Sequence, residues 1–287
     1  MITLIGSNSQ LAKCFQSISL LPIDAISSDD LDLRNYKDIA THLSKYKNKI
    51  LLNFSAYNDV EGAEIDSDAD LINNVAVGEI AKHCSNQGIF LCHISSDFVF
   101  DGLKGDYAES DPTNPINKYG QSKLDGEQLI QRHCKNFIII RTSWLYSHLD
   151  TQNNFLSKMK SILQKNHQEL VGADNIFGSP TSAMSLAKAI NHFLLKSRIG
   201  SHQNLNMIYH YADVGRVSRY EYLCEITSLI NHKFNLQNTV IKAPNSFFQL
   251  KAPRPQDTSL NSLLFSKTFS HSSQCWKSSL SETINLL

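Results

Sequence analysis

Three residue types at a telling spacing could together reduce a carbonyl group. Tyr119 and Lys123 lie four residues apart in Tyr119-Gly-Gln-Ser-Lys123, and the pair Ser95-Ser96 precedes them by a little over twenty residues. On a helix, side chains four apart share one face. An ammonium there lowers the pKa of a phenol so that it gives up a proton near neutral pH, while an upstream hydroxyl holds the carbonyl oxygen. At about 5 Å and an effective dielectric of about 20, that ammonium contributes about 3 kcal/mol and takes the phenol from about 10 to about 8. The spacing alone is weak, because chance gives about 0.7 such pairs in a chain of this composition. An ordinary amphipathic helix with an exposed lysine and a half-buried tyrosine is the plain alternative.

The elements that must position this trio are visible around it. Gly88-Ile-Phe-Leu-Cys-His-Ile94 is a mostly apolar run that reads as a buried parallel strand, with Ser95 and Ser96 at its carboxyl end, the edge of an open α/β sheet where ligands sit. Asp111-Pro-Thr-Asn-Pro115 breaks the chain and opens a helix that carries Tyr119, Lys123 and Glu127. Further strands are expected at 2–5, 22–27, 49–55 and 136–142, with helices near 9–20, 35–46, 65–86 and 116–133. Such alternation makes right-handed βαβ crossovers and hence an α/β fold with a Rossmann-type, doubly wound parallel sheet. The second half is less regular and richer in Ser, Asn and His. We place a boundary near residue 145, giving a dinucleotide-binding domain at 1–145 and a smaller C-terminal substrate-binding domain at 146–287. Segments near 181–196 and 206–212 are expected to return to the first domain.

Composition narrows the function classes. The chain has 287 residues, long enough for a nucleotide-binding domain and a second lobe, and 27 basic residues balance 27 acidic ones. No Lys/Arg cluster stands out, so nucleic acid and anionic membrane surfaces are poor partners. The cysteines at 14, 84, 92, 134, 224 and 275 are scattered, without CxxC pairs or histidines at metal-ligand spacing, which suits a reduced cytoplasm. The eleven histidines show no HExxH arrangement. No metal ligands are assigned, and a divalent-metal requirement stays open. The apolar start, Met1-Ile-Thr-Leu-Ile5, runs at once into a glycine turn and reads as a first strand rather than a signal peptide.

The first turn, Ile5-Gly6-Ser7-Asn8-Ser9-Gln10-Leu11-Ala12, sits where a dinucleotide site places its glycines, and only Gly6 remains of three. Gly6 supplies the tight turn, Ala12 is small enough for close helix packing, and the backbone N–H groups of Ser9, Gln10 and Leu11 at a helix start attract an anion. The Ser9 side chain either crowds a pyrophosphate or hydrogen-bonds it. After the second strand, Ser27 stands where NAD-preferring sites offer an acid. Two small hydroxyls, Ser27 and Ser28, tolerate a 2′-phosphate, which favours NADPH, with NADH as the second choice.

Taken in order, Ser95-Ser-Asp-Phe-Val-Phe-Asp-Gly102, Tyr119-Gly-Gln-Ser-Lys123, Arg141-Thr-Ser-Trp-Leu-Tyr146, Asn153-Asn-Phe155, Phe177-Gly-Ser-Pro-Thr181 and Arg254-Pro255 make the chain resemble the dTDP-4-dehydrorhamnose reductases of the extended short-chain dehydrogenase/reductase superfamily. The resemblance runs from residue 2 to about residue 270. It implies an enzyme that reduces a 4-keto-6-deoxy nucleotide sugar with NADPH, making dTDP-rhamnose for lipopolysaccharide and other surface polysaccharide. It implies Ser96, Tyr119 and Lys123 as the catalytic trio, and cofactor contacts from the turn 9–11, Asp32, Leu33, Ala56, Tyr57, Asn58, Tyr119 and Lys123. Ser96, Asp97, Trp144, Asn154 and Arg254 would face the nucleotide sugar, and 146–287 would be its domain. The chain departs from the family at Ser9, Ala12, Ser27 and Ile94, and at Asn175-Ile176 where Asp-Gln is usual. These changes bear on cofactor preference and on the identity of the sugar. A homodimer is the oligomeric form to test.

Two other readings share the fold. One is a nucleotide-binding regulatory subunit, like the non-catalytic subunit of methionine adenosyltransferase, which the eroded glycine turn would suit. The other is a sugar-nucleotide epimerase with tightly held NAD. Trp144, just after a strand, is either core or a sugar or base platform. Arg254, between Pro253 and Pro255, is either a turn residue or a diphosphate partner. The acids of Tyr57-Asn58-Asp59-Val60-Glu61 read as solvated loop charges rather than a cation site.

Overall fold

Consecutive strand residues part to opposite faces of one sheet, as a period of two requires. The computed structural model describes residues 1–149, 154–196 and 206–287; Asn153, the first residue of the 153–155 block, lies outside them. Strands β1 (Ile2–Ile5), β2 (Ile23–Ile26), β3 (Ile50–Asn53), β4 (Phe90–Ser96) and β5 (Phe137–Thr142) join the edge strand Asn206–His210 in a six-stranded sheet. Its order is edge strand, β5, β4, β3, β1, β2, with every pair parallel. Leu4, Leu52, Cys92 and Ile138 pack into one core with helices Gln10–Ile18 and Ala183–Lys196, and their neighbours Ile5, Leu51, Leu91 and Ile139 pack into another with Ala76–Gln87 and Lys118–His133. A sheet buried on both faces explains why these strands read as continuous apolar runs. The α/β doubly wound class expected from the alternation is the one found. A third core, built on Tyr146, Leu156, Tyr222, Ile226, Trp276 and Leu280, belongs to the C-terminal half.

The expected helix at 65–86 comes in three pieces, Asp68–Asp70, a π-helical stretch Leu71–Val75 and Ala76–Gln87. The π-helical turn lets Asn73 face the loop after β3. Its Oδ1 accepts from the Tyr57 N–H at 2.9 Å, and its Nδ2 donates to the Tyr57 carbonyl at 3.0 Å and to Ser122 Oγ at 3.1 Å. That loop leaves β3 beside β1, where the crossovers diverge to the two faces and leave a crevice at the strands' carboxyl ends.

Candidate active site

At the start of the crevice, Gly6 has φ +80°, and a Cβ there would fall 2.6 Å from the backbone nitrogen of Ser55. Only glycine fits both the left-handed turn and the neighbouring loop. Helix Gln10–Ile18 begins four residues on. Ser9 caps it, its hydroxyl accepting from the Ala12 N–H at 3.2 Å, and Ser9 also lines the cleft. Gln10 and Leu11, first in the helix, have no carbonyl four residues back inside it, and both line the cleft. Free amides at a helix start beside a glycine turn suit the pyrophosphate of a dinucleotide.

The serine, tyrosine and lysine are brought together. Ser96 ends β4 opposite Thr142 of β5, and Ser96, Tyr119 and Lys123 all line a cleft of about 1000 Å³ with Gly6, Ala56, Asn58, Asp97, Trp144 and Arg254. Helix Lys118–His133 presents the pair. Asn117 caps it, accepting from the Gly120 N–H at 2.8 Å and donating to the Pro253 carbonyl at 2.9 Å. The approach of this helix to the strand end is set by Gly120, where a Cβ would lie 2.1 Å from the Phe98 carbonyl oxygen. Since that contact is backbone, Gly120→Ala is expected to push the helix outward and lower turnover about a hundredfold, the cost of roughly 1 Å of misplacement. Wild-type turnover in this variant would mean that the helix position does not set the chemistry.

The electrostatics differ from the expectation in one respect. Tyr119 is not brought toward 8; burial pushes its phenol up to about 12, with the Asp97 charge adding to the rise and the adjacent Ser96 hydroxyl opposing it. Lys123 fails to lower it because its own ammonium is buried and turned to the sheet, where it donates to the Ile94 carbonyl at 2.8 Å. Burial brings Lys123 down to about 8 against the pull of Glu127 one turn further along. Glu127 is held in turn by Arg141 of β5, with Nη2 to Oε2 at 2.7 Å and Nε to Oε1 at 2.9 Å. Ser96 donates to Asp97 Oδ1 at 3.1 Å and accepts from the Phe98 N–H at 3.2 Å. Asp97 also accepts from Thr258, and burial raises its carboxyl to about 6. Ser95 also lines the cleft, its buried hydroxyl without a hydrogen-bond partner.

Several residues named from the sequence stand elsewhere. The Asn154 side chain is fully buried, accepting from the Leu156 N–H and donating to Ser147 and Leu149 carbonyls, so it shapes the loop rather than facing the cleft. Ser27 donates to Asp30 Oδ2 at 2.7 Å, and it is Ser28 and Asp29 that line the cleft. Asp32 is engaged by Arg34 at 2.6 Å, Leu33 is buried in the core beside Ile26, and the Tyr57 hydroxyl donates to Asp66 at 3.2 Å; none of the three is among the lining residues. Arg34, the cation nearest Ser27 in sequence, is thus committed to Asp32. Lys13 lines the cleft instead.

Arg219 is the main residue the sequence reading missed. It opens helix Arg219–Phe234 after the capping box of Ser218 and Glu221, and its guanidinium lies 3.4 Å from the Trp144 ring centroid. The Ser-x-x-Glu signature marked a helix start, yet nothing local marked that start as facing the cleft. Trp144 holds this platform from a left-handed backbone position, φ 44°, packed against Gly178, whose would-be Cβ falls 2.5 Å from the indole. Beyond it, an apolar recess of about 450 Å³ continues between Phe155, Met159, Leu170, Leu223 and Phe248.

Known proteins share this layout. The RmlD substrate binding domain family matches residues 1–287. A dTDP-4-dehydrorhamnose reductase of Shigella flexneri is 31% identical over 279 residues, covering 94% of this chain and 90% of that protein. The crystal structure of a dTDP-4-dehydrorhamnose reductase from Bacillus anthracis in complex with NADP superposes with a TM-score of 0.89 at 27% identity, covering 100% of this chain and 99% of that one. A Bacillus anthracis dTDP-glucose 4,6-dehydratase, at 14% identity and TM-score 0.77 over 99% of this chain and 95% of that one, shares the fold. By full-length match and by the cleft these elements build, the chain belongs to the dTDP-4-dehydrorhamnose reductase family.

Proposed function

We propose that the chain reduces a 4-keto-6-deoxy nucleotide sugar with NADPH, as its relatives' name, dTDP-4-dehydrorhamnose reductase, describes. The observation that carries this reading is the meeting of Ser96, Tyr119 and Lys123 beside a glycine turn fit for a pyrophosphate, in one cleft. In this reading residues 1–145, with 181–196 and 206–212, hold the dinucleotide, and the rest of 146–287 holds the nucleotide sugar. Among the described residues no helix is long and apolar enough to cross a membrane. We assign the enzyme to the cytoplasm, and treat a homodimer as the assembly to test.

The cofactor supplies the hydride that reaches the ketone carbon. The chain supplies the rest. Ser96 keeps accepting from the Phe98 amide and swings its one proton from Asp97 Oδ1 to the carbonyl oxygen as charge develops there. Tyr119 delivers its proton to that oxygen, and Lys123 stabilises the tyrosinate left behind by turning its ammonium from the Ile94 carbonyl to the phenol. A donor near 12 stays protonated across the physiological range. It can still protonate an alkoxide, a base comparable with hydroxide, whose conjugate acid water has a pKa of about 15.7. Arg219 and Arg254 face the diphosphate, and Trp144 packs against the sugar or base.

Mixing the protein with NADPH and a panel of 4-keto-6-deoxy nucleotide sugars tests this by absorbance, with NADH as comparison. One NADPH should be consumed per sugar reduced; no net oxidation with any of them would overturn the reading. For cofactor choice, Lys13→Met should raise the NADPH KM about tenfold, the worth of one charge-assisted phosphate contact, and leave that for NADH unchanged. Equal effects on the two would place the 2′-phosphate elsewhere.

A further inference from the structure

Glu61 was expected to be a solvated loop acid; it stays partly exposed, and it is also paired. Its Oε1 accepts from Arg254 Nη2 at 2.7 Å and its Oε2 accepts from the Lys251 N–H at 2.8 Å. These two bonds join the loop after β3 to the segment 251–254, across the cleft that both line. Arg254 is held from other sides too. Phe98 lies beneath it, its ring centroid 5.9 Å from the guanidinium carbon, and Asn117 grips the preceding residue's carbonyl.

Held in this way, Arg254 has one edge engaged and one edge free. Its Nη1 is buried and makes no hydrogen bond. A buried guanidinium N–H without a partner is costly, and a guanidinium is a rigid fork: once Glu61 fixes Nη2, the direction of the free edge is set as well. A second cation faces the same cleft, Arg219 on its Trp144 platform. Burial and the like charge of Arg254 both make Arg219 easier to deprotonate, bringing it to about 10 against the pull of Asp97. Two desolvated guanidiniums lining one cleft, one of them with an unpartnered donor, describe a place for an anion with several oxygens, which a diphosphate supplies.

We propose that Glu61 is a positioning residue for the substrate's diphosphate: it aims the free edge of Arg254 so that Arg254 and Arg219 close on phosphate oxygens. The proposal rests on the nucleotide-sugar reading above. It also gives the carboxylate a definite sign. Were Glu61 merely occupying the phosphate's place, its removal would tighten binding; as a positioning group, its removal weakens binding.

Glu61→Gln keeps the shape of the side chain and removes the charge. Calorimetric titration with thymidine diphosphate should give a Kd about tenfold higher than wild type, and the KM for the nucleotide sugar should rise by the same factor, as for a weakened bond to a charged group. Turnover at saturation and NADPH affinity should stay within about twofold of wild type, since neither uses the diphosphate contact. Thymidine, which has no phosphate, should bind the variant and wild type alike, and E61Q should add nothing in an Arg254→Gln background. Equal or tighter diphosphate binding by the variant, a matching loss for thymidine, or additivity with Arg254→Gln would each overturn the positioning role. Failure of the wild type to bind thymidine diphosphate would instead sink the functional reading beneath it.

Discussion

Tyr119→Phe is expected to turn over about a thousandfold more slowly than wild type, inside the roughly hundred- to ten-thousandfold range that a positioned proton donor supplies. The ring stays where it is, edge-on to Phe98 at 5.8 Å, and Ser96 keeps its bonds to Asp97 and to the Phe98 amide. What is lost is the proton and nothing that the ground state needs. NADPH affinity measured by fluorescence titration should therefore stay within about twofold, and kcat and kcat/KM should fall together. Because the phenol is buried to a pKa of about 12, the wild-type rate should show no acidic or neutral limb from Tyr119 itself. A variant that reduced the ketone at the wild-type rate would remove Tyr119 from the chemistry, and with it the reason for reading Lys123 and Ser96 as its companions.

How much of this was legible beforehand depends on which residues carried the signal. Strands such as 90–96 and 137–142 announce themselves because both of their faces are buried, so all positions but His93 are apolar until the carboxyl end, where Arg141 pairs with Glu127 and Ser95, Ser96 and Thr142 begin the site. Tyr119 and Lys123 were legible because a helix fixes their relation by spacing alone. The direction of their electrostatic coupling was not, since that depends on where the ammonium points. The Ile94 carbonyl that takes it is nearly thirty residues away. The same limit hid Arg219, Lys13 and the partners of Glu61. Glu61 meets Arg254 across 193 residues of chain, and no local pattern separates an exposed loop acid from one that bridges two halves of a cleft. Asn154 shows the converse error. Its place in a recognisable block suggested a ligand, while its amide is spent on capping a helix and tying down a loop.

Removing the ammonium is the other large effect expected. Lys123→Met should lower turnover at neutral pH about a thousandfold, near the upper range for losing one donor to a developing charge, and weaken NADPH binding as well. The fold should survive, because Glu127 keeps its bidentate partner Arg141 and no carboxylate is left bare in the core. The pH dependence makes the test specific. Lys123 is charged below its pKa of about 8 and neutral above it, so wild-type turnover should fall as pH rises through about 8, and the residual rate of Lys123→Met should not bend there. Unfolding would not imitate this limb through the same group. A lysine whose pKa is depressed in the folded state disfavours folding where it is charged, so its own contribution to stability improves between about 8 and its ordinary 10.5, opposite in sign to the loss of activity. A melting temperature held or raised across that window while turnover drops would assign the limb to the ammonium's role in the cleft. A limb that persists in Lys123→Met would assign it to another group, and leave the lysine a structural support of the Ile94 carbonyl.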